Sequence, residues 1–118
     1  MRALVLILAF VACAARAQPW TLDQKQIGAV MLAAAVIDYG QTMTIARSRG
    51  YWHEYNPLIG YHPSQMRVNI YFAVVPAVAY LALDALPSDT RTTAMKILAI
   101  TQLGFVGRNA YLGIGMRY

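Results

Sequence analysis

Two imidazoles and a carboxylate stand close together at His53, Glu54 and His62, the donor set from which catalytic zinc and iron sites are assembled. Their spacing differs from the helical device in which two histidines one turn apart share a face, because His53 and Glu54 are adjacent and point apart. Solvated histidines at a membrane interface are the simpler reading, and no metal or other cofactor is expected. General acid–base work by Glu54 with His53 is chemically available. No nucleophile motif, phosphate-binding glycine loop or cofactor fingerprint accompanies it.

A second polar set lies upstream at Asp38, Gln41 and Thr42. Spacings of three and four residues put these side chains on one helical face. The surrounding run is apolar, and a carboxylate inside a membrane span costs a few kcal/mol or more to insert, so Asp38 should face other helices and have a partner there. Arg108 is the natural counter-charge, and Gln102 and Asn109, seven residues apart, line one face of the same later segment. Such a network could hold a ligand or relay a proton, or it could pin helices together, which is the commoner use of polar groups between membrane helices. Arg108 could instead reach the aqueous surface and leave Asp38 protonated.

Three apolar stretches must position these groups: about residues 26–46, 68–86 and 92–114, each near the twenty residues that a span requires. Pro76 falls at the centre of the second, a position that membrane helices tolerate when neighbours satisfy the freed carbonyl. Leu86-Pro87-Ser88-Asp89 reads as a tight hairpin, with Ser88 or Asp89 as the N-cap of the helix that follows. Between the first two spans, Asn56-Pro57 and His62-Pro63 exclude helix and Gly60 permits a turn with positive φ. That connector is stiff, either re-entrant or hugging the surface, with Asn56 bonding its own loop and Glu54 capping a turn or a helix end.

Composition points the same way. Of 118 residues, 58% are hydrophobic and 13% charged, about half the charge of a typical soluble domain. The net charge of +5 is scattered singly rather than gathered into a patch, so nucleic acid is not an expected partner. The lipid bilayer is, with a second copy or another membrane protein as the further candidates. Residues 1–17 read as a cleavable signal: Arg2, an apolar run from Ala3 to Ala12, and Ala15-Arg16-Ala17 before the cut. An uncleaved anchor forming a fourth span, or lipidation at Cys13, are the alternatives. Cleavage would leave residues 18–118 as one membrane domain. Arg47, Arg49, Arg67, Arg108 and Arg117 then lie toward the cytoplasm, and Lys25, Arg91 and Lys96 toward the outer side, the direction of the positive-inside rule. Tyr39, Tyr51, Trp52, Tyr55 and Tyr61 would contribute to one interfacial aromatic belt and Trp20 to the other. Gly28, Ala29, Ala33, Gly40, Ala73, Ala77, Gly104 and Gly107 are the small residues expected at helix contacts.

The pattern Asp38-x-x-Gln41-Thr42, then Glu54-x-Asn56-Pro57-x-x-Gly60, then Leu86-Pro87 and Asn109, resembles a group of small bacterial and phage-borne membrane proteins of unknown function. The resemblance implies three spans, a polar set at Asp38, Thr42, Glu54, Asn56 and Pro57, and no established activity. The expectation is therefore an all-α bundle of three transmembrane helices after a signal segment, in the bacterial inner membrane. Its motif loop would face the cytoplasm, and its role would be non-enzymatic. An interface enzyme or lipid- or metal-binding module using Asp38, His53, Glu54 and Asn56, and a proton or ion pathway centred on Asp38, are the rival expectations.

Overall fold

The computed structural model describes residues 18–118; the signal segment at 1–17 and the alternative lipidation at Cys13 lie outside the described residues. Within them the chain forms three α-helices and no strands: α1 (Leu22–Arg47), α2 (Gln65–Asp84) and α3 (Ser88–Tyr111). Helices α1 and α2 are long and apolar enough to cross a bilayer. Helix α3, expected as a third span over 92–114, begins and ends earlier and is not among the helices that meet this measure. Its polar residues Gln102, Arg108 and Asn109 dilute the apolar run.

Local chemistry sets the ends. Thr21 and Gln24 form a reciprocal capping box: the Thr21 hydroxyl accepts from the Gln24 N–H, and the Gln24 side chain accepts from the Thr21 N–H. Ser64 caps α2 through the Arg67 N–H. At α3 the expected cap is displaced by one residue. Pro87 holds the N-cap position without a side-chain bond, and the Ser88 N–H is satisfied instead by the Gln18 side chain at 3.0 Å. Pro76 sits inside α2, which continues through it.

Helices α1 and α3 run parallel and are tied by polar contacts at nearly constant sequence offset. Near the chain's start the Gln24 amide donates to the Ser88 carbonyl and hydroxyl and to the Thr92 hydroxyl, at 2.9–3.1 Å. Midway, the Gln102 amide donates to Asp38 at 2.7 Å, and one turn on the Gln41 amide donates to the Val106 carbonyl at 3.2 Å. Gly28 admits Met95, whose Cε would lie 3.6 Å from a β-carbon there. Of the other glycines expected at contacts, a β-carbon at Gly104 or Gly107 would meet no other segment within 4 Å among the described residues. Gly40 is close-packed, but against the chain's last residues rather than a helix.

That final segment is a strap. The Arg117 N–H donates to the Gly40 carbonyl at 2.8 Å and the Thr44 hydroxyl to the Gly115 carbonyl at 2.6 Å, and Ile114 is buried. Helix α2 lies more openly, with Met66, Ile70, Val74, Val78 and Leu81 exposed. It is held to α1 at the connector end by Met43, Ile59 and Val68, packed with Tyr39, Tyr71 and Phe72.

Candidate functional site

Asp38, on α1, is buried with 8% of its surface exposed. Its carboxylate accepts from the Gln102 amide at 2.7 Å and lies 3.4 Å from the Thr42 hydroxyl. The expected ion pair with Arg108 does not form. Arg108 lies instead over the face of Tyr55, its guanidinium carbon 4.0 Å from the ring centroid, a cation–π contact. The physical reason is that one amide N–H of Gln102 already reaches Asp38 across the helix pair, while the Arg108 side chain extends to the connector. Asn109 is buried and its carbonyl accepts from the Ile114 N–H, ending α3; its side chain does not extend the Asp38 network as expected.

The Thr42 hydroxyl also faces Glu54, at 3.4 Å from the second carboxylate oxygen. Glu54 is buried as well, and its other oxygen accepts from the N–H groups of Tyr55 and Asn56 at 2.9 and 2.8 Å. One carboxylate thereby caps the turn that follows it and docks the connector on α1. Asn56 completes the turn: its side-chain carbonyl accepts from the Leu58 N–H, an Asx turn, while its amide donates to the Tyr71 hydroxyl on α2 at 2.8 Å. The Asn56 backbone carbonyl accepts from Ile59 and Gly60, and the Glu54 N–H donates to the Tyr61 carbonyl, closing the loop on itself. Gly60 takes φ +92° there, a conformation that disfavours any β-carbon. Pro57 is exposed at the apex, and Ile59 is 1% exposed, the loop's anchor into the α1–α2 core.

His53 and His62 do not join Glu54 as metal ligands. His53 stacks on Tyr61 at 4.3 Å between centroids, and His62 meets His53 edge-on at 4.9 Å. Glu54 points the other way, because both its oxygens are drawn to N–H groups and to Thr42. Among the described residues no group of three or more His, Cys, Asp and Glu side chains is placed to hold a metal. Among the described residues two buried side-chain atoms lack a partner, Gln41 Oε1 and His53 Nδ1.

A second polar centre escaped the sequence reading. Arg91 is completely buried. Its guanidinium donates to the Leu83, Asp84 and Leu86 carbonyls at the end of α2 and to the Gln18 carbonyl, all within 3.0 Å. It also lies over Trp20, whose indole N–H donates to the Asp84 carboxylate at 2.7 Å. The signal was available: a cation in the first turn of a helix opposes that helix's dipole, so Arg91 needed acceptors elsewhere. The C-terminal carbonyls of α2 are such acceptors.

No protein-family model matches this chain, and no curated protein or solved structure matches it.

Proposed function

We propose that this chain is a small multi-pass membrane protein of the bacterial inner membrane, non-enzymatic, that acts by presenting a rigid helical shape to lipid and to a membrane-embedded partner or a second copy. On this reading α3 is a third span and the connector faces the cytoplasm; a phage-derived origin, with action on the host envelope, rests on the resemblance of the Asp38 and Glu54 motifs alone. The observation that carries the reading is the direction of the polar bonds. Asp38, Thr42, Glu54 and Asn56 bond to one another and to Gln102, Tyr71 and loop N–H groups. They work as a bolt joining α1, α3 and the connector, the use expected of polar groups between membrane helices. The outward apolar side chains of α2 suit lipid contact.

The bolt is tested by a double-mutant cycle on Asp38→Leu and Gln102→Leu, read as thermal stability in detergent micelles. Each single change leaves the other polar side chain without this partner, and the double removes both, so the double should cost less than the sum of the singles. Additive effects would remove the bolt.

A second reading, a proton-holding centre, is favoured by one observation. The single Thr42 hydroxyl faces two buried carboxylates, and it can donate its one proton to only one of them. Proton flux into vesicles that disappears with Asp38→Asn is the outcome this reading requires, and flux unchanged by that substitution would end it.

A further inference from the structure

Where α1 ends and α2 begins, the chain leaves an open recess of about 410 Å³ lined by Ile45, Ala46, Arg49, Gly50, Trp52, His62 and Pro63. Its position follows from the two helices that can cross a bilayer. The recess borders the C-terminal end of one and the N-terminal approach to the other, the depth at which lipid headgroups lie.

Its backbone has an uncommon form. Ser48 takes φ −78° and ψ −1°, and Arg49 follows at φ 52°, the one non-glycine residue with positive φ among the described residues. Successive right-handed and left-handed residues turn their N–H groups to a common side, making the concave nest that binds anions. The Ser48 N–H is used by the Ile45 carbonyl, but the Arg49 and Gly50 N–H groups have no acceptor among the described residues. Gly50 itself takes φ +87°, is exposed and lines the recess without a side chain to cover its backbone, with the His62 ring 4.0 Å from where a β-carbon would lie.

The charge is complementary to an anion. The neighbouring arginines are engaged: Arg47 donates to Gln65 and the Tyr118 carbonyl, Arg67 to the Leu58 carbonyl, and Arg108 covers Tyr55. The exposed Arg49 guanidinium has no hydrogen-bond partner among the described residues. Glu54, the connector's carboxylate, is buried under the loop and offers the recess no competing charge. Trp52 supplies the amphipathic ring that settles at the headgroup level.

We propose that this recess binds the phosphate of an anionic membrane lipid, held by the Arg49 guanidinium and by the Arg49 and Gly50 N–H groups, with Trp52 and His62 flanking the glycerol. The inference rests on the membrane reading above.

The test reconstitutes the full-length protein in vesicles of equimolar phosphatidylglycerol and phosphatidylcholine. Alkaline carbonate extraction comes first, followed by native mass spectrometry of the lipids retained after detergent release. Variants are Arg49→Asn, which removes the charge yet tolerates positive φ, and Lys25→Gln, which removes one exposed charge from the opposite end of α1. Wild type and Lys25→Gln should retain phosphatidylglycerol at least fivefold over phosphatidylcholine, and Arg49→Asn should lose most of that preference. Equal retention of both lipids by the wild type, or a preference unchanged in Arg49→Asn, overturns the site while the membrane reading stands. Release of the protein by carbonate overturns both.

Discussion

Glu54 and Arg91 show how little of a side chain's role follows from its charge. Among the described residues neither forms an ion pair with an oppositely charged side chain; each collects backbone groups that would otherwise be unsatisfied. Glu54 accepts two N–H groups of its own turn, and Arg91 donates to the carbonyls that end α2. An unsatisfied buried polar group costs about 1–3 kcal/mol, so these residues matter through the backbone they complete. Glu54→Gln keeps a carbonyl oxygen for the Tyr55 and Asn56 N–H groups. It should leave hydrogen-exchange protection of residues 54–61 close to wild type, whereas Glu54→Leu should abolish it. Arg91→Lys should destabilise by about 1–3 kcal/mol in chemical or thermal unfolding, because a lysine's point charge cannot replace a fork of five donors and leaves carbonyls unsatisfied. Wild-type stability in that variant would show that the carbonyl clamp is dispensable.

At the scale of elements, the connector and the final strap do what longer helices would otherwise do. The connector is closed by the Glu54–Tyr61 backbone bond, turned at Gly60, and pinned by Ile59. Gly60→Ala must place a β-carbon at φ +92°, 3.2 Å from the Arg67 guanidinium; a destabilisation of about 1–2 kcal/mol is expected, measurable as a lowered midpoint of unfolding. The strap depends on Gly40, where a β-carbon would meet Met116 and Tyr118 at 3.0 Å. Gly40→Leu should therefore expose residues 112–118 to protease while α1 and α3 remain paired through Gln24 and Gln102. Uncut tail in that variant would show that the strap is held elsewhere.

For the whole molecule, the geometry makes topology directly measurable. The connector and the strap lie at one end of the bundle, since Arg47 bonds the Tyr118 carbonyl; the α2–α3 turn lies at the other, beside Trp20 and Gln24. If all three helices cross the bilayer, cysteines introduced at Tyr51 and Tyr118 will react with an impermeant thiol reagent from the same side, and one at Asp89 from the opposite side. Labelling of all three from one face would rule out a spanning bundle.

Much of this architecture was legible in the sequence because it depends on neighbours along the chain. The apolar runs, the excluded helix at Asn56-Pro57 and His62-Pro63, the turn at Gly60 and the shared face of Asp38 and Thr42 are all local. So is the Thr21–Gln24 capping box, which the reading of the apolar runs passed over. What only the tertiary structure decided are the partners. Asp38 meets Gln102 rather than Arg108, Glu54 turns from the histidines to Thr42, and Arg91 is drawn inward to the end of α2. The register of α1 against α3 and the direction of each side chain at the connector set those choices. The first arises from packing between segments more than sixty residues apart and the second from contacts twelve and fifteen residues apart, and no spacing within a single segment encodes either.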